Sequence, residues 1–426
     1  MLLLQHLALA LRRCPSVAAA AAAAATGKQL AKPQQRPFST YIPDVVKQAF
    51  ESAPFEAALI HGAGRGLVAT RALSQGDLIL SERPFVCTPT PEHRSKVCYN
   101  CLSALPLDAS SDASGSDGSN AGTSLCQSLP AGRLGAKFCG AACLEEARGS
   151  FLEFELRSDL SALDEYCVRN GERFPLLAAR LALMLLQRAA RGDREGGGSS
   201  SSSGGDGGSS SSGGGGSGRG PDLGIGAAQG AWQIQEAAPP GPLAELGFLC
   251  YANVGLPPPQ PWQESFELLR KGISGRAPAA DGGGAGADEA RAVEAAAAAL
   301  DLEWYTAVLA RLHLNTFRVD CVFPIDFQDF AAAARAAIVA GGSISGSALY
   351  LVAALLNHSC EPNVNVAWPR NDGRAVFTAA RDIAPGEQLA ITYTDSSQAV
   401  AERRAHLLTS YGFECGCQLC TEQLAA

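Results

Sequence analysis

Asn357-His358-Ser359-Cys360-Glu361-Pro362-Asn363 is followed near the end of the chain by Cys415-Gly416-Cys417-Gln418-Leu419-Cys420, and these two stretches together decide the fold. The tail supplies three thiolates within six residues, one fewer than a closed tetrahedral zinc site requires. Cys360 is the candidate for the fourth ligand. Its bond would tie the C-terminus onto the segment that precedes the last strands. Because metal binding becomes folding energy, such a tie is worth several kcal/mol, and about 10 at the upper end. The competing reading is a cysteine-rich tail that stays disordered.

Outward from this pair, short alternating or apolar runs predict strands over residues 364–368, 375–379 and 388–393, and near the other end over 66–70 and 78–81. Helical periodicity is best over 143–160, 175–190, 293–312, 347–356 and 401–411. A β-rich unit whose first strands lie before residue 97 and whose last lie after 360 must therefore close across a helical insertion. Three stretches, 108–124, 192–220 and 276–288, are rich in Ser, Gly, Asp or Ala. They cannot bury enough apolar surface to offset the entropy of ordering. They are insertions rather than domain ends, since loop-closure cost grows only logarithmically with length.

The insertion carries a second set of thiols. Cys98-x-x-Cys101 and Cys139-x-x-x-Cys143 form two short knuckles, the arrangement that lets four sulfurs surround one zinc ion whatever the length of the loop between them. The alternative is four unrelated cysteines. Cys126 lies between the knuckles with no partner at ligand spacing, while Cys87, Cys167, Cys250 and Cys321 read as small core residues. The 14 cysteines thus point to reduced, metal-holding thiolates rather than a disulfide framework.

A net charge of -8 and the lack of any short Lys/Arg block disfavour direct nucleic-acid binding. The apolar run over residues 2–11 is far shorter than the roughly 20 residues a membrane span needs. No acidic residue precedes Asp44, whereas Arg12, Arg13, Lys28, Lys32 and Arg36 are basic and alanines fill 18–25. That composition predicts a transit peptide over residues 1–43 and a mitochondrial or plastid destination. The alternative is a disordered tail on a nuclear or cytoplasmic protein.

Further motifs stand in a fixed order around the cysteines: Gly62-Ala63-Gly64-Arg65-Gly66-Leu67, then Asn315-Thr316-Phe317, then Gly386-Glu387-Gln388-Leu389-x-Ile391-x-Tyr393, and last Tyr411-x-Phe413 ahead of the final cysteines. The ordered set resembles the SET-domain protein lysine methyltransferases, and within them the short members of the SET and MYND domain family, in which a zinc finger interrupts the SET domain. The chain departs from that pattern: a full MYND finger holds two ions, whereas here one set of four cysteines is present and the finger is reduced. The resemblance implies an α+β fold, with a β-rich SET domain that has a knot-like C-terminal closure and a Cys-rich zinc tail. Its parts would be the SET N-terminal portion over 55–97, the reduced finger over 98–145, a helical insertion over 146–314, the catalytic core over 315–395 and the zinc tail over 396–426.

By the same resemblance, the methyl donor is S-adenosylmethionine and the acceptor is a lysine of a histone or another protein. Tyr393 and Tyr411 are the catalytic candidates, and Gly64, Arg65, Gly66, Asn315, Asn357 and His358 are the cofactor candidates. Cys98, Cys101, Cys139 and Cys143 would hold one zinc ion, with Cys360, Cys415, Cys417 and Cys420 holding the other. The protein is expected to be a monomer whose partner is a peptide presenting lysine. A non-catalytic, zinc-stabilised interaction module is the alternative function.

Overall fold

The computed structural model describes residues 42–105, 127–128, 136–192, 244–252, 254, 257–274, 287–321 and 344–425. All but the last two residues of the stretch expected to be a transit peptide (1–43), Cys126 and nearly all of the three low-complexity insertions lie outside the described residues. In chain order the strands are β1 (Phe55–Ile60), β2 (Gly64–Ala69), β3 (Leu78–Glu82), β4 (Val86–Pro89), β5 (Gln127–Ser128), β6 (Lys137–Phe138), β7 (Thr316–Cys321), β8 (Ile344–Leu349), β9 (Asn357–His358), β10 (Val364–Ala367), β11 (Ala375–Ala379) and β12 (Gln388–Ile391). The helices are α1 (Asp44–Gln48), α2 (Ala141–Ala147), α3 (Glu153–Arg157), α4 (Ser161–Asn170), α5 (Phe174–Ala190), α6 (Gln260–Ser274), α7 (Ala287–Ala299), α8 (Leu302–Asn315), α9 (Val400–Tyr411) and α10 (Gln418–Ala425).

The fold is α+β, built from small sheets that join the two ends of the chain. β2 pairs antiparallel with β12, β3 with β11, and β4 with β8, so every one of these sheets closes across the helical middle. The largest sheet runs β1-β2-β12-β9, and its β12-β9 pair is parallel. Alternation drives the pairing: Ala375, Phe377 and Ala379 of β11 are buried while Val376 and Thr378 are half-exposed, so one pleated face joins the core.

Helix α5 is the hub of the insertion. It starts with Pro175 at its first turn and is apolar nearly all round, so most of its residues are buried, as expected of a helix enclosed by others. The helix predicted over 143–160 is present as α2 and α3, joined by a π turn at Arg148–Leu152. That predicted over 293–312 is two helices, because Asp301 sits in extended backbone and its carboxylate accepts the Trp304 N–H at 2.7 Å, a new N-cap.

The helix expected over 347–356 is corrected by the structure. Residues 344–349 form β8, bonded to β4 on one edge and β7 on the other, and only Ala353–Leu355 makes a short 3-10 turn. Both edges of this segment meet strands, and that tertiary context overrides a local apolar periodicity. The Glu82 carboxylate caps the start of the turn by accepting the N–H groups of Val352 and Ala353, both at 2.9 Å. Burial pushes its pKa up to about 7, against the pull of those backbone bonds.

His313 of α8 stacks on Trp262, with ring centroids 5.3 Å apart, and lies 4.3 Å from the ring of Phe174. Burial, with Arg173 nearby, lowers its pKa to about 4 from the ordinary 6.5. The unfolded chain therefore takes up this proton first as pH falls. The stabilisation is complete above about pH 6.5 and is lost toward pH 4. His313→Phe is expected to flatten the pH dependence of the melting temperature in that window, by about 1–3 kcal/mol relative to wild type. Parallel wild-type and variant curves would contradict it.

Candidate active site and two thiol clusters

Sheet order places the predicted site residues. β2 carries Gly64, Arg65 and Gly66, β9 carries Asn357 and His358, and β12 lies between them and leads into Tyr393. The Asn357 Nδ2 donates to the Arg65 carbonyl at 3.1 Å. A Cβ on Gly66 would meet that same Nδ2 at 2.6 Å and Ile60 Cγ1 at 2.7 Å, so the strand needs glycine for this close approach. Asn363 locks the arrangement from the motif's other end, donating to the Gln388 carbonyl and accepting the Ala390 N–H, both at 2.8 Å.

His358 turns its ring toward protein partners. Its Nδ1 accepts the Tyr393 backbone N–H at 3.0 Å, so the ring proton sits on Nε2, 3.3 Å from Cys360 Sγ. Burial, followed by the charge of Arg403, holds its pKa down at about 4, and the ring is neutral. The rings of Tyr393 and Tyr411 lie 4.9 Å apart at 36°. The Tyr393 hydroxyl donates to the Leu356 carbonyl at 2.6 Å. Burial pushes both phenols up, so both stay protonated near neutral pH.

Asn315 joins this group through a segment that the sequence reading did not assign. It donates to the carbonyls of Cys250 and Arg311, both at 2.7 Å, while Arg65 donates to the Phe248 carbonyl. Cys250, read as a core residue, faces Arg65. The lone cysteine and the aromatic pair Phe248 and Tyr251 were the available signals, but their spacing matches no metal or nucleophile pattern.

Both thiol clusters form as expected. In each set, Cys98, Cys101, Cys139, Cys143 and Cys360, Cys415, Cys417, Cys420, the sulfurs all lie within 4.8 Å of one another. Tetrahedral zinc with Zn–S near 2.3 Å puts its sulfurs about 3.8 Å apart. Cys101–Cys139 stands at 3.7 Å, Cys360–Cys420 at 3.6 Å and Cys360–Cys415 at 4.0 Å. The S–S distance of a disulfide is only about 2.05 Å. Hydrogen bonds from Cys101 and then Cys139 pull the Cys98 thiol down, while those with Cys139 and then Cys98 make Cys101 hold its thiol proton more tightly. A divalent cation would replace those protons, so the donor chemistry and spacing of both sets fit zinc.

The tail reaches Cys360 through α9. That helix ends at Gly412, whose φ of 77° reverses the chain into Phe413 and Cys415. Arg403 of α9, only 1% exposed, was not foreseen. Its Nε lies 3.4 Å from Cys360 Sγ and its Nη2 3.6 Å from Cys420 Sγ, offsetting the charge that a metal-bound tetrathiolate would carry.

The SET domain family matches residues 64–394, most of the chain, and the protein belongs to that family. Among known proteins it is 27% identical over 367 residues to histone-lysine N-methyltransferase ATXR4 of Arabidopsis thaliana, spanning 86% of each chain. It is 28% identical over 172 residues to a SET and MYND domain-containing protein of Dictyostelium discoideum, covering 39% of this chain and 42% of that one. Over 82 residues it is 39% identical to protein-lysine N-trimethyltransferase SMYD5 of Danio rerio, or 18% of this chain and 20% of that one. The chain is a protein-lysine N-methyltransferase, of the class that uses S-adenosylmethionine.

Proposed function

We propose that this enzyme methylates a lysine of a histone or an organelle protein in a slot roofed by Tyr411 and floored by the β2-β12-β9 sheet. The observation that carries this reading is the Tyr393–Tyr411 pair at 4.9 Å, one hydroxyl anchored on a carbonyl and the other unengaged among the described residues. S-adenosylmethionine supplies an electrophilic methyl group. Gly64, Arg65 and Gly66 would line its path with backbone, while Asn315, Asn357 and His358 shape the wall. The side chain of Asn357 and the ring of His358 are spent on Arg65, Tyr393 and Cys360, so main-chain groups there are left to hold the donor.

A free lysine has a pKa near 10.4 and must lose its proton before it attacks. Transfer from water into a channel lined by Tyr393, Tyr411 and Phe413 disfavours the ammonium form. The phenol oxygens can then accept from the amine N–H groups and aim its lone pair, which is positioning catalysis. The zinc ions would be structural, as neither cluster keeps a ligand position open. The relatives' activities make histone lysines the first substrates to assay, and the composition of residues 1–43 makes mitochondrial or plastid proteins the second. The enzyme is taken to act as a monomer, on protein rather than nucleic acid or membrane.

Calorimetric titration with S-adenosylmethionine tests the donor site. Zinc-replete wild type is expected to bind it, and Gly66→Ala, which displaces Asn357 from the Arg65 carbonyl, is expected to bind at least about 10-fold more weakly, about 1.4 kcal/mol. No heat with wild type would sink the donor site. Unchanged affinity in the variant would sink its placement on β2.

A further inference from the structure

A cavity of about 460 Å³ opens beside the first thiol cluster, between α5, the segment joining β3 to β4 and the turn joining β10 to β11. Its charged lining is Arg83, Glu146, Arg180, Arg370, Asp372 and Arg374. Arg180 is 3% exposed and clamped: its Cζ lies 4.1 Å from the ring centroids of both Tyr99 and Phe151. Its Nη1 donates to the carbonyls of Cys87 at 2.5 Å and Tyr99 at 2.8 Å. Its Nη2 is buried and has no hydrogen-bond partner among the described residues. A buried charged donor left open costs free energy unless something accepts from it.

The remaining charges do not close that account. Arg83 is engaged by Glu146 at 2.7 and 2.9 Å. Asp372 accepts the Arg374 backbone N–H at 2.8 Å. The side chains of Arg370 and Arg374 make no hydrogen bond or ion pair among the described residues, and Arg370 is exposed at the rim. Cys101 and Cys143 also line the cavity and would contribute thiolate charge, but their sulfurs face the metal position. In a chain of net charge -8, three guanidiniums converging on one concave site are not part of a general basic surface.

We propose that this cavity is an oxyanion-binding site, in which a carboxylate or phosphate group is held by the guanidiniums of Arg180, Arg370 and Arg374. Guanidinium forks match both oxyanions in geometry and charge. The volume suits a small ligand or a single acidic side chain with its neighbours. The site lies apart from the Tyr393–Tyr411 slot, so it stands or falls independently of the donor site.

The test is calorimetric titration of the full, zinc-replete chain with inorganic phosphate and with a hexaglutamate peptide. Saturable binding of either probe, weakened at least about 10-fold in Arg370→Ala/Arg374→Ala and abolished in Arg180→Met, supports the site. Phosphate alone binding would assign a phosphoryl ligand, and the peptide alone a carboxylate-bearing chain. The rim pair is solvent-facing enough to fold, so it decides the matter should Arg180→Met prove unstable. Failure of both probes to bind, or equal binding by wild type and the rim double variant, overturns the proposal.

Discussion

Cys360→Ser is expected to lower bound zinc from two ions to one, release the tail and reduce methyl transfer by at least about 100-fold. Cys360 is the one ligand of its cluster that lies outside the tail, so a metal bound there would tie the sheet to everything after α9 through this thiolate. Its removal leaves three thiolates and opens a contact that Arg403 and His358 both depend on. The buried set around it is small: Leu407, Cys415 and Cys420, with Tyr393, Tyr411 and Phe413 packed against them. That much apolar surface does not hold a tail of two helices without the metal, whose binding contributes several kcal/mol and up to about 10. Tyr411 would then leave Tyr393, and the slot would lose its roof. Zinc content by atomic emission, proteolytic nicking after about residue 395 and turnover are the measurements. Cys143→Ser is the control: it should also lose one ion, yet keep the Tyr393–Tyr411 stack and most of the turnover. A Cys360→Ser protein that retained two ions and full activity would refute the clamp.

How much of this was legible beforehand follows from the kind of signal each part leaves. Seven of the eight cluster cysteines were readable because ligand spacing is a local covalent constraint, Cys360 followed as the fourth ligand the tail lacks, and the sulfurs do converge in the two sets expected. β11 was readable because alternation needs no knowledge of its neighbours. β8 was not: Gly346, Ser347 and Ala348 carry no strand signature, and only the strands on both sides determine their conformation. Arg403 and Arg404 are adjacent on one helix and indistinguishable in composition. Yet the first is buried against two sulfurs, while the second pairs with Glu414 near the surface. Arg180 hid in the same way within an apolar helix. The segment from Leu246 to Ala252, which receives Arg65, Asn315 and Arg311 on its carbonyls, has no pattern at all; its task is done by main chain, which every sequence possesses.

The two tyrosines should separate when each loses its hydroxyl, because the structure gives those hydroxyls different work. Tyr393 donates to the carbonyl of Leu356, a residue only 1% exposed. Tyr393→Phe leaves that acceptor buried and unsatisfied, a cost of about 1–3 kcal/mol, so its melting temperature should fall along with its activity. Tyr411 has no hydrogen bond from its hydroxyl among the described residues, and its ring contacts with Tyr393 and His406 do not involve the oxygen. Tyr411→Phe should therefore melt like wild type and bind S-adenosylmethionine within about twofold of it. Its kcat should nevertheless fall about 100- to 1000-fold, the range seen when one preorganised hydrogen-bonding group is removed from a reacting centre. The required measurements are a thermal melt, a donor titration and single-turnover methyl transfer on each variant. If Tyr411→Phe turned over at the wild-type rate, the hydroxyl would have no part in aiming the amine. The stacked pair would then be packing for the zinc tail and nothing more.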